Sequence, residues 1–211
     1  MTRPGPPRPL TVALLLAFSL TCLHALWRSA ASGRELADAV VRLHIVAASD
    51  SESDQQNKLL VRDRVLELMR GEMLHCADRD EALTRLSLRL AELETAAEET
   101  LQQAGNSAPV TAELGDRHFP LRQYGRLTAP AGRYLALTLT IGEGEGQNWW
   151  CVMYPPLCYG EENTAVEEAA VDRLSTLLSD RTARQLIGEE ETEYRFRLLE
   201  GLKAFLADRK S

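Results

Sequence analysis

The sequence predicts an α+β fold, a small mainly antiparallel sheet packed with helices in the order strand-helix-helix-strands-helices. Three observations carry this. Stretches near residues 41–47, 110–114, 133–141 and 148–154 read as strands, the first three by alternating their faces with period two. Residues 52–70 and 78–101 instead repeat apolar residues every three or four positions, as one face of a helix does. Finally, 45% hydrophobic and 26% charged residues in 211 are the composition of one compact domain, not of a disordered chain.

The chain opens on an apolar segment. Leu10 to Leu26 is seventeen residues without a charge, preceded by Arg3 and Arg8 and followed by Ser29, Ala30, Ala31, Ser32 and Gly33. A basic flank, an apolar run and small residues, in that order, make a secretory signal. Seventeen residues also reach the lower limit for a membrane-spanning helix. Cleaved signal and retained anchor both stand as readings of residues 1–31. Either leaves residues 32–211 as a single extracytoplasmic α+β domain with a helical C-terminal tail, since the positive flank stays inside. Cys22 belongs to the apolar run, because Ser19-Leu20-Thr21 is a poor approach to a lipoprotein cysteine.

The first strand follows, with Val41, Leu43, Ile45 and Ala47 on one face and Val40, Arg42, His44 and Val46 on the other. At Ala48-Ser49-Asp50-Ser51 the pattern changes. Ser51 with Asp54 and Ser53 with Gln56 have capping spacing, and Asp50, Glu52 and Asp54 suit the positive end of a helix. That helix is expected from about Glu52 to Arg70, burying Leu59, Val61, Val65, Leu66, Leu68 and Met69. Asp78 with Glu81 repeats the cap, and Leu83, Leu86, Leu90, Leu93 and Ala97 continue to about Leu101, before Gly105-Asn106. Strands return with Val110, Ala112 and Leu114. Gly115-Asp116 and Pro130-Ala131-Gly132 read as turns. From Arg133 to Ile141, Leu135, Leu137, Leu139 and Ile141 oppose Tyr134, Ala136, Thr138 and Thr140. Gly142-Glu143-Gly144-Glu145-Gly146 then leads to Asn148–Tyr154, and the two strands read as a hairpin. Ala165–Leu178 and Tyr194–Leu206 are helical in pattern.

Charge excludes one class of function. The net charge is −7, and residues 1–31 hold three arginines and no acid, leaving 21 basic and 31 acidic residues beyond them. So acidic a body lacks the basic footprint that nucleic acid requires, and membrane contact is expected only through the N-terminal segment.

The chemistry-bearing residues form no assembled catalytic site. Gly142 to Gly146 carries two carboxylates that would repel phosphate, so a turn is expected there. His44, Asp50, Glu52 and Asp54 match no metal spacing. No cofactor or metal is expected. Outside the cytoplasm, Cys151 and Cys158 flanking Pro155-Pro156 read as a short disulfide; unpaired structural thiols, or a nucleophile with His44 or His118 as base, are the other readings. Trp149 and Trp150 are adjacent on a strand and so point to opposite faces: both are covered within the monomer, or one is displayed to a partner. Lys58 and Arg62 lie in the direction the helix buries. They either snorkel or form an ion pair with Asp50, Asp54 or Asp63 that holds the strand-to-helix corner.

Two stretches resemble a known family. Arg42–Leu66, with Arg42, His44, Ser49, Asp50, Asp54, Lys58, Arg62 and Asp63, is similar to the first signature of the stage II sporulation protein R family. Ile141–Cys158, with Asn148, Trp149, Trp150, Cys151, Pro155, Pro156 and Cys158, resembles its second. The resemblance implies a signalling protein, not an enzyme, exported into the space between forespore and mother cell. Its implied partner is the membrane-embedded sporulation GA protease of the mother cell, which matures pro-sigma-E. The family offers no catalytic residues, so the named residues are candidates for partner binding or for fixing the fold. An exported cysteine-dependent hydrolase and a structural wall-associated protein are the rival readings.

Overall fold

A computed structural model describes residues 9–158 and 164–188. α1 (Pro9–Ala39) carries the apolar segment and runs past it unbroken. It exposes Leu14, Phe18, Leu23 and Trp27, whereas Ser32 and Leu36 near its end are buried against the body. By length and composition it is apolar enough to cross a membrane, a test that an export signal also passes. Position 31/32 falls inside this helix.

β1 (Val41–Val46), α2 (Glu52–His75) and α3 (Arg79–Gln103) follow, then β2 (Val110–Phe119), β3 (Arg122–Tyr124), β4 (Leu127–Ala129), β5 (Gly132–Ile141) and β6 (Asn148–Tyr154). α4 (Thr164–Leu177) and α5 (Asp180–Leu186) complete the described chain. The class is α+β, as expected. β2, β5, β1 and β6 form one sheet in that order; β1 is parallel to β5, and the other two pairs are antiparallel.

The capping residues start the helices where the spacing predicts. The Ser51 hydroxyl accepts from the Asp54 N–H at 3.2 Å, and the Asp78 carboxylate from the Glu81 N–H at 2.8 Å. The Glu81 side chain reaches back to the Ala77 N–H at 2.6 Å. α2 continues past Arg70 to His75 because Met73 extends its buried face: Met73, like Met69, is fully buried. Leu59, expected inside, is 36% exposed instead.

The sheet is covered on both faces. Val41, Leu43 and Ile45 of β1, with Leu137, Leu139 and Ile141 of β5, pack under Val61, Val65, Leu86 and Leu93 of α2 and α3. On the other face Val40, Tyr134, Ala136 and Val152 meet Leu36 of α1, Leu127 of β4 and Val171 and Leu174 of α4. Two-sided burial explains why Arg42, on the face opposite Leu43, is also fully buried.

Two expectations are corrected. β5 and β6 are not a hairpin, since β1 lies between them and pairs with both. Residues 142–147 therefore cross the end of β1: Gly146 N–H donates to Ala47 O at 2.9 Å, and a Cβ on Gly146 would overlap the Ser49 carbonyl. Gly115-Asp116 is no turn, because β2 runs on to Phe119 in unbroken register with β5. The short β3–β4 hairpin fills residues 122–129, between the two stretches read as turns, where no element was expected. α5, capped by Ser179, is an addition to the expected elements. The helix expected at Tyr194–Leu206 lies outside the described residues.

Candidate interaction site at the strand-to-helix corner and β6

The first signature folds into a corner held by hydrogen bonds. The Ser49 hydroxyl donates to Asp54 at 2.5 Å, and the Ser51 N–H donates back to that hydroxyl at 3.1 Å. Gln55 Nε2 donates to the Ser49 carbonyl at 2.8 Å. The Asp50 carboxylate accepts from the Gln147 N–H at 2.9 Å, which ties the corner to the crossing loop.

Lys58 closes this network, and neither sequence reading of it holds. It does not snorkel, being only 6% exposed. Its Nζ donates to Gln55 Oε1 at 2.6 Å and to the Gln147 carbonyl at 3.1 Å. Among the described residues no carboxylate lies within ion-pair distance of it. Burial lowers its pKa, with Asp50 opposing and neighbouring Arg62 adding to the effect. Arg62 does form an ion pair, with adjacent Asp63 at 2.6 Å, but Asp63 is largely exposed. Its guanidinium lies 4.4 Å from the Trp149 ring centroid, so it also covers that ring.

Across the sheet, Trp150 stacks on His44 with centroids 3.9 Å apart and planes 5° from parallel, and meets the Phe119 edge at 4.6 Å. Both tryptophans are half-buried, one on each face. His44 Nε2 hydrogen-bonds Asn148 Oδ1 at 2.7 Å, while its Nδ1 is buried without a partner. Burial lowers the His44 pKa from 6.5; the Asn148 bond opposes this, and Arg117 adds to it.

Arg42 sits beneath, fully buried, in a cage of Phe119, Tyr134 and Tyr124 rings at 4.0, 4.8 and 5.5 Å. It donates to the Tyr124 hydroxyl, which in turn donates to the Trp150 carbonyl at 3.3 Å. Burial lowers its pKa. The rings' negative faces stand in for an acidic partner.

β6 ends in a closed loop. Cys151 and Cys158 form a disulfide with Cα atoms 5.4 Å apart, and Pro155-Pro156 makes the turn between them, after a cis Tyr154–Pro155 bond. The Leu157 N–H returns to the Val152 carbonyl at 3.0 Å. Cys76 is a free, buried thiol. Cys151 lies on the α2 side of the sheet and His44 on the opposite side, so the two do not form a nucleophile–base pair.

The structure thus gathers the candidates into two groups. Ser49, Asp50, Asp54 and Lys58 fix the corner, while Arg42, His44, Asn148, Trp149, Trp150 and Arg62 surround β6. Gly146 and Gln147 were missed although they lie inside the second signature, because their bonds run to Ala47, Asp50 and Lys58, distant in sequence; Gln55 was missed although its partners Ser49 and Lys58 are local, because nothing in the helix pattern turns its amide to the corner. Tyr124 and Phe119 were missed because they lie between the signatures.

The family model described as stage II sporulation protein R matches residues 37–164, which span both groups. This chain belongs to that family. It is also 34% identical over 178 residues to the stage II sporulation protein R of Bacillus subtilis (strain 168), covering 77% of this chain and 80% of that protein. No solved structure matches the chain. Membership gives it a role in sporulation, and its N-terminal apolar helix is compatible with an export segment.

Proposed function

We propose that this chain is an exported, non-enzymatic sporulation signal, which acts between forespore and mother cell to activate the membrane-embedded GA protease that processes pro-sigma-E. Family membership over residues 37–164 is the observation that carries this reading. The apolar α1 supports export, and the disulfide suits an oxidising compartment. The cysteine-hydrolase alternative loses support, because both candidate nucleophiles are engaged in one bond.

The test is co-expression of the full chain with the protease and its sigma substrate in a host that does not sporulate. Processing should depend on the chain. Replacing Cys151 and Cys158 together by serine should lower stability or binding; a folded variant that binds normally but fails in turnover would return the protein to the hydrolases.

A further inference from the structure

α1 leaves the domain at one end of the sheet. Its Gly33 lies against Pro130, whose Cβ would stand 3.7 Å from a Cβ placed at position 33. Pro130 comes just before β5, whereas Leu36 joins Tyr134 and Ala136 farther along that strand. Followed backwards, the helix therefore runs off the sheet at the start of β5. Trp27 lies six residues before Gly33, about 9 Å farther out. From there to Leu14 the helix exposes apolar side chains that the body does not cover.

Two loops share this end. The pairs Phe119–Gly132 and Arg122–Ala129 bracket Pro120-Leu121 and Pro130-Ala131, so the two dipeptides lie side by side. Leu121 is 62% exposed, and Ala131 is exposed as well. Arg28 and Arg34 of α1, with Arg122 and Arg133 beside the loops, are exposed around them. Among the described residues no carboxylate pairs with Arg28, Arg34 or Arg122. Arg133 meets only Asp116, at 3.8 Å, with both side chains largely exposed. Unpaired arginines beside an exposed leucine, in so acidic a chain, gather where the apolar helix departs.

We propose that the Pro120-Leu121 and Pro130-Ala131 loops dock on the bilayer that α1 crosses as a retained anchor, with the four arginines on anionic phospholipid headgroups. Leu121 gains by leaving water, and each cation is drawn to the negative surface. Trp27 and Arg28 stand at the headgroup level, where such side chains are favoured. The tether makes this contact intramolecular, so a small surface suffices. Membrane contact thus extends beyond the N-terminal segment. β5 is ten residues long, roughly 33 Å, and the Ser49–Asp54 corner follows β1 at its other end. Docking stands the domain upright, with the corner and the start of β6 held away from this membrane. The inference rests on the exported part of the proposed function and not on the protease as partner.

The test places the full chain in vesicles of phosphatidylglycerol and phosphatidylcholine, with Cys22→Ser so that one introduced thiol takes a fluorophore. Cys76 is buried and the other two cysteines are bridged. A label on Ala131→Cys should be quenched by headgroup spin-labelled lipid about fivefold more than one on Glu52→Cys at the corner. Pure phosphatidylcholine, or Arg122→Glu with Arg133→Glu, should bring the first signal down to the second. Arg122→Lys with Arg133→Lys should keep it, and Leu121→Asp should lower it. An intact disulfide and an unchanged circular dichroism spectrum check the folding of each variant. Equal quenching at the two positions, or none at position 131, overturns the docking surface. A photo-cross-linker at position 131 that joins two copies of the chain, or reaches the chain's own residues 189–211, overturns it as well. So does a mature chain that has lost residues 1–31 in the exporting cell, because no membrane is then held beside the loops. A domain found on the cytoplasmic side by protease protection in cells, with the vesicle result intact, removes the export reading and leaves the docking surface standing.

Discussion

Lys58 shows how a buried cation is held without an acid. Its charge is met by an amide oxygen and a carbonyl, each of which loses its donor if the ammonium is removed. Lys58→Met, which keeps the apolar stem, should therefore cost about 1–3 kcal/mol, whereas Arg62→Met should cost less than about 1 kcal/mol because Asp63 is exposed. Denaturant midpoints of the two variants measure the difference. His44 gives a pH-dependent counterpart. Its folded pKa lies below 6.5, so as the pH falls the unfolded chain takes up the proton first. The His44 contribution is fully present above about pH 6.5 and is lost as the pH falls through that value toward the folded pKa. His44→Gln should flatten the stability loss between about pH 7 and 5, as read by urea unfolding at each pH. Equal slopes in the two proteins would refute the assignment.

At the scale of elements, the crossing loop decides the strand order. β1 is inserted between β5 and β6, so residues 142–147 must pass over its end with their backbone against Ala47, Ala48 and Ser49. Gly144 holds a φ of +67°, and Gly146 leaves no room for a Cβ beside the Ser49 carbonyl. Gly146→Ala should cost about 2 kcal/mol or more by pushing the loop off β1, and the Gln147 bonds to Asp50 and Lys58 should weaken with it. Differential scanning calorimetry checks the first effect, and faster amide exchange at Gln147 the second. Gly71 lies in α2 with open space around its missing Cβ, and the same substitution there should be neutral or stabilising.

For the whole molecule, α1 joins the apolar segment to the domain. Its last turns are part of the second core through Leu36, and the Ser32 hydroxyl bonds Gln185 at 2.9 Å. A chain beginning at Ser32 keeps these contacts and should fold. Made in the forespore cytoplasm, it should fail to trigger pro-sigma-E processing, as scored by immunoblot of the sigma factor. Full processing from that chain would remove export from the mechanism.

The strand and helix periods, the Ser51 and Asp78 caps, the apolar N-terminal run and the Cys151–Cys158 bridge were all legible in the sequence. Each depends on neighbours a few residues apart and on local backbone geometry. Both signatures were legible too, but not their meeting. That Lys58 bonds the Gln147 carbonyl, that Arg42 lies in a cage of rings from β2, β3 and β5, and that β6 ends the sheet all follow from β1 entering the sheet between β5 and β6. Strand order is set by which pairing buries both faces of β1 and β5 at once. Such pairing is a property of the assembled layers, and alternation along one strand is the same whichever neighbour it takes.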